Sequence, residues 1–163
     1  MIRRKSSLFK RLRRETQGAV LVEAIVAVPF VTFFSVAILE FGNMLWQKEQ
    51  IETGLRDAAR YLARCQPDNL PDFDSDCSEV LARRIAYYGT SSASATVPRV
   101  TGWTPARSAI TFEYPMRQGY QAGLHKVVVA RTSHVYSTSP LFGWLDLGAV
   151  NIQAYHEERY VGW

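Results

Sequence analysis

Few residues in this chain have the type and spacing to do chemistry. His125, His134 and His156 fall in or beside strand-like segments, and "HEERY" lacks the second histidine of the zinc spacing H-E-x-x-H. Each histidine reads as a surface or edge-strand residue rather than a ligand. No G-x-S-x-G elbow accompanies Ser91, Ser92 and Ser94, which read as loop composition. No phosphate loop or dinucleotide fingerprint is present. Asp72, Asp74 and Asp76 alternate without completing a twelve-position calcium loop. Cys65 and Cys77 have no second pair to suggest zinc. No catalytic residue, metal site or cofactor is expected. The residue that stands out is Glu23, a carboxylate set a few positions into the apolar run "GAVLVEAIVAVPF".

Charge and hydropathy locate the elements that carry it. Arg3, Arg4, Lys5, Lys10, Arg11, Arg13 and Arg14 precede Gly18 against one acid, Glu15. The whole chain is formally +4, so without residues 1–18 the remainder is net −2. The basic balance thus belongs to the tail, and a nucleic-acid partner is not expected. Residues 19–39, "AVLVEAIVAVPFVTFFSVAIL", hold a single charge. As a helix they extend about 31 Å, enough to cross a bilayer core. Basic residues ahead of such a span hold the N-terminus in the cytoplasm, with Arg11, Arg13 and Arg14 as topology determinants. A cleaved secretory signal has a shorter apolar core, whereas this run continues into "EFGNMLWQ", with Trp46 at the far interface. On the exported side, Cys65 and Cys77 suggest a disulfide closing a 13-residue segment, worth about 3 kcal/mol in a loop-entropy model. Two free buried thiols are the alternative.

The expected domains are a basic leader (1–18), a transmembrane helix (19–46) and a periplasmic α+β domain (47–163) that begins with the helix extension. In "QKEQIETGLRDAARYLAR", Ile51, Leu55, Ala58 or Ala59, and Leu62 share one helical face. The pairs Lys48–Glu52 and Glu52–Arg56 support the solvent side. Pro29 cannot donate to the Ile25 carbonyl, which predicts a kink or local opening, and Gly42 is a second soft point. "CQPDNLPDFDSDC" reads as a loop, and "SEVLARRIAYYG" as a short helix capped by Ser78 and ended near Gly89. "TSSASATVPRVTGWTPAR" reads as a surface loop. "SAITFEY", "HKVVVARTSHVY" and "VNIQAYHEERYV" carry strand patterns. The expected fold is α+β, a long N-terminal helix packed on a small antiparallel sheet in a pilin-like arrangement. Phe142, Trp144 and Leu145 lie in a dense apolar cluster that either folds over the sheet or forms a contact patch for another subunit.

A carboxylate inside a span costs at least a few kcal/mol and ordinarily has a partner. Glu23 either lies near enough to the cytoplasmic interface to stay wet or protonated, or precedes a span that begins at Ala24, or meets a cation. A cut after Gly18 would create an amine on Ala19, with Glu23 four steps along the helix and roughly 6 Å away. A neighbour's terminal ammonium would then pair with Glu23 inside a helical bundle and set its register.

A basic leader ending at Gly18, then Ala19 and a glutamate at the fifth position of an apolar helix, resembles a type IV prepilin. "GAVLVEAIVAVPF" followed by "ILEFGNMLWQKEQIETGLRDAARYLAR" is similar to the TadE-like pseudopilins of the tight-adherence (Flp) pilus system. The resemblance is specific over residues 17–64. It implies removal of the leader by a prepilin peptidase between Gly18 and Ala19, an assembly role for Glu23, and packing roles for Pro29, Glu40, Phe41 and Gly42. It implies a non-enzymatic minor pilin or pseudopilin in the inner membrane. The implied partners are other pilin and minor pilin subunits, the assembly ATPase, the inner-membrane platform, an outer-membrane secretin and the lipid bilayer. The competing expectation is a permanently anchored periplasmic scaffold or binding module.

Overall fold

The computed structural model describes residues 16–65, 77–118, 124–136, 142–143, 146 and 148–161. It divides into two compact units, Met1–Phe41 and Gly42–Trp163. The element order is α1 (Thr16–Ala63), α2 (Glu79–Tyr88), β1 (Ile110–Glu113), β2 (Met116–Gln118), β3 (Leu124–Tyr136) and β4 (Val150–Arg159). This is an α+β arrangement of a long N-terminal helix and a small antiparallel sheet.

In the first unit α1 carries apolar side chains around its whole circumference, with Glu23 the one charge between Gly18 and Leu39. From Gly18 to Leu39 every side chain except that of Ala37 is exposed. α1 is the one helix among the described residues that is long and apolar enough to cross a membrane. The hydroxyls of Thr32 and Ser35 are satisfied internally: Thr32 Oγ1 donates to the Val28 carbonyl at 2.8 Å and Ser35 Oγ to the Val31 carbonyl at 2.7 Å. Such i−4 bonds let polar side chains reside where water is absent. The helix is assigned without interruption across Pro29.

In the second unit the same helix becomes one-sided. Gln47, Ile51, Leu55, Ala58, Ala59, Leu62 and Ala63 are buried, while Lys48, Glu49, Arg56 and Arg60 are exposed. This is the 3–4 spacing of a face laid on a core. Gly54 lies on that face, and a Cβ there would stand 2.6 Å from the Ala86 carbonyl oxygen and 2.8 Å from the Trp103 ring. Only a residue without a side chain allows α1 this approach to α2.

Local chemistry sets the limits of α2. The Ser78 side chain accepts from the Leu81 N–H at 3.1 Å, and Gly89 closes the helix in the left-handed region, donating to the Ile85 carbonyl. Beyond Gly89, the segment expected to be a surface loop is in part core. Val100 and Trp103 are fully buried, and the Trp103 ring meets Tyr87 edge-on with centroids 4.9 Å apart. The polar composition of "TSSASATVPRVTGWTPAR" conceals two apolar residues three apart, and burying them outweighs ordering the loop. The segment is also anchored by polar contacts. Arg99 pairs with Asp57, its backbone N–H donates to the Tyr87 carbonyl, and the Tyr87 hydroxyl donates to the Ser108 carbonyl.

The sheet is organised around β3, which pairs antiparallel with β1 and β2 along one edge and with β4 along the other. β2 follows Pro115 and has three residues, too few for a legible alternation. Val128, Ala130, Thr132, His134 and Tyr136 on β3, with Ile152 and Ala154 on β4, face the core. Cys65 and Cys77 are joined in a disulfide. Beside it the Tyr160 hydroxyl donates to the Cys65 carbonyl, and the Val161 N–H donates to the Ala63 carbonyl at 3.0 Å. The end of the chain is thereby tied to the end of α1.

Two substitutions test this packing. Trp103→Ala is expected to cost about 3–5 kcal/mol, the usual penalty for emptying a large aromatic site. Gly54→Ala gains helix propensity of about 1 kcal/mol but meets a backbone oxygen that cannot yield, so a net loss of about 1–2 kcal/mol is expected. Thermal unfolding of the full chain in detergent reads both, and an unchanged midpoint for either would contradict the packing described.

Candidate functional site: the N-terminal helix and the buried polar cluster

The residues singled out from sequence fall into separate places. Gly18, Ala19 and Glu23 lie in the first turns of α1, all exposed, and a Cβ on Gly18 would meet nothing within 4 Å. Glu23 makes no ion pair or hydrogen bond with the described residues. Along the helix, Glu40 is 8% exposed, whereas Phe41 and Gly42 are open. The division between the two units falls between Phe41 and Gly42, inside the Glu-Phe-Gly triplet. Directly after the triplet, Asn43 Nδ2 donates to the Tyr136 hydroxyl at 2.8 Å, and one turn beyond it Gln47 is buried. In the second unit the core-facing side of α1 begins with half-buried Met44 and buried Gln47 and is apolar from Ile51 onward.

Phe142 is half-buried, packed on the core with its ring 6.3 Å from that of Tyr136. Arg11, Arg13, Arg14, Trp144 and Leu145 lie outside the described residues, as do Asp72, Asp74 and Asp76.

His134 departs from expectation. It is 3% exposed on the inward face of β3, the central strand, rather than at a surface or an edge. Its register with Thr132 and Tyr136 turns it inward, and Ser108 Oγ, 3.0 Å from Nδ1, satisfies one ring nitrogen. Thr132 Oγ1 donates to the Ala109 carbonyl, and Trp103 Nε1 lies 3.5 Å from Thr132 Oγ1. These bonds fasten the 100–109 segment to the sheet, and Ser108 and His134 have a structural task there. Half-buried His156 lies on edge strand β4 with Nε2 3.1 Å from Glu158. No group of three His, Cys, Asp or Glu side chains converges among the described residues.

Sequence reading missed one surface feature. Ala109, Thr111, Arg131, Ser133, Gln153 and Tyr155 line a cleft of about 370 Å³ on the outward face of the sheet. They come from three strands and from Ala109 just ahead of β1, and only the register places them together.

These features describe a chain with one apolar helix able to span a membrane and a small α+β unit built on that helix's continuation. Residues 18–60 match the family model of the TadE-like proteins, so the chain carries a TadE-like segment through most of α1. No curated protein and no solved structure matches the chain.

Burial lowers the His134 pKa below its ordinary value of 6.5. The folded state then binds fewer protons than the unfolded one, so stability rises with pH in that range. The contribution is complete above about pH 6.5 and is lost as the pH falls toward the depressed value. Urea unfolding is expected to show lower stability at pH 5.5 than at pH 7.5, and His134→Gln should flatten the difference. An equal pH dependence in that variant would refute the assignment.

Proposed function

We propose that this protein is a non-enzymatic pseudopilin or minor pilin that supports assembly of a Tad-type pilus. It would reside in the bacterial inner membrane as a single-pass protein, with the basic leader cytoplasmic and the α+β unit periplasmic. The TadE-like match over residues 18–60 supports a place among pilus components in general. The observation that carries the finer reading is Glu23, an exposed carboxylate without a described partner in an apolar helix, five positions beyond Gly18.

In this reading a prepilin peptidase cuts between Gly18 and Ala19. The new ammonium of one subunit then pairs with Glu23 of its neighbour, where low dielectric strengthens the attraction and punishes a wrong register. Pro29, Glu40, Phe41 and Gly42 shape the helix for packing among pilin subunits and at the inner-membrane platform. Removing the leader removes seven basic residues, so the processed helix is released from its cytoplasmic charge anchor.

Intact-mass measurement of the membrane-extracted protein tests processing. In cells with a cognate prepilin peptidase, a species beginning at Ala19 is expected, and Gly18→Leu should retain the full chain. Full-length protein alone in such cells would overturn the reading. Glu23→Gln is expected to be inserted and cut normally yet be recovered with pilus components at a level reduced about tenfold, the effect of losing one desolvated charge pair.

A further inference from the structure

We infer that the cleft on the outward face of the sheet is a binding site for an acidic saccharide, one whose rings carry carboxylates. The site is built from register. Thr111, Arg131 and Tyr155 stand side by side across β1, β3 and β4, and Ser133 and Gln153 form the next row. Ala109 lies just before β1 begins, so small residues, Ala109 and Ser133, floor the notch between larger walls. Its volume of about 370 Å³ lies within the range of small-ligand sites.

The lining chemistry selects the ligand. Tyr155 is 65% exposed, and the Arg131 guanidinium carbon sits 5.8 Å from its ring centroid. A pyranose presents a flat face of C–H groups to such a ring, and the planar side chain gives contact area at low entropic cost. Around the ring, the Thr111 and Ser133 hydroxyls and the Gln153 amide offer both donors and acceptors, as neighbouring sugar hydroxyls require. Arg131 is the one charged residue of the lining among the described residues. Its side chain makes no hydrogen bond among the described residues. Its Nε is 3.8 Å from Glu113 Oε2, in an exposed pair of low value that a ligand carboxylate can displace. The guanidinium fork then takes the carboxylate through two parallel bonds. Of the acids in the adjacent row, Glu157 is held by Arg117 at 2.9 Å, and Glu113 is the partner that a ligand carboxylate replaces. An uncharged saccharide would leave the Arg131 fork unused, whereas a plain anion would leave Tyr155, Gln153 and the hydroxyls unused.

This inference does not rest on the pilus reading, and the full chain in detergent micelles tests it without any pilus machinery. The probes are trisaccharides of galacturonate, glucuronate and mannuronate, the same compounds with their carboxylates reduced to alcohols, and triglutamate. Titration calorimetry is expected to detect at least one uronate trimer at millimolar or lower concentration. Its reduced form and triglutamate should each bind about tenfold more weakly. Arg131→Gln and Tyr155→Ala should each weaken the uronate by about tenfold, while Tyr155→Phe retains it. Both positions are exposed, and far-ultraviolet circular dichroism verifies that the variants fold. No uronate binding, equal binding of the reduced sugar or of triglutamate, or affinity unchanged by both Arg131→Gln and Tyr155→Ala would each overturn the assignment.

Discussion

One constraint governs this protein: α1 must be apolar on every side in its first unit and apolar on one face in its second. A helix in hydrocarbon satisfies its own backbone and needs no second face, whereas a helix on an aqueous domain must bury a stripe and solvate the rest. The transition occupies a short stretch. Leu39 is exposed and apolar, Glu40 is buried, and by Gln47 and Ile51 the buried stripe is established. The residues between the two patterns include polar side chains that are each buried, Glu40 and Gln47, and the Glu-Phe-Gly triplet lies at the division between the units.

The α+β unit is built on that stripe. Gly54 brings α2 and Trp103 against α1, Tyr87 and Arg99 hold the loop that delivers Trp103, and Ser108 and His134 fasten the same loop to β3. At the far end the disulfide, Tyr160 and Val161 tie the end of β4 to the last turn of α1. A small unit gains from such ties: the disulfide restricts the conformations of the unfolded chain, and the hydrogen bonds of Tyr160 and Val161 hold the folded end in place. The inward face of the sheet is committed to the core, and the cleft lies on its outward face.

Much of the fold was legible in the sequence, for identifiable reasons. α1 announces itself by an apolar run followed by a 3–4 stripe, α2 by Ser78 and Gly89, and β1, β3 and β4 by alternation. What escaped reading depends on contacts distant along the chain. Trp103 sits in a polar-looking segment and is buried by Gly54 and Tyr87, far from it in sequence. His134 is turned inward by the register of β3 and accepted there by Ser108, which no local pattern announces. β2 is too short to alternate. The outward cleft joins residues of β1, β3 and β4, so it exists only once pairing is fixed. On the N-terminal side the Gly18-to-Glu23 spacing is fully local, so it is legible without any contact of the fold.

The claim that one helix changes environment between Leu39 and Gln47 is most directly tested by a nitroxide scan along α1, with the full chain in lipid vesicles. At each position from 20 to 63, the accessibility of the spin label to oxygen and to a polar relaxation agent is measured. The account predicts high oxygen access on all sides through residue 39 with no helical period. Beyond residue 43 it predicts a 3.6-residue oscillation, with minima at positions 47, 51, 55, 58 and 62. A helical period already present between residues 20 and 39, or its absence between 47 and 62, would contradict it.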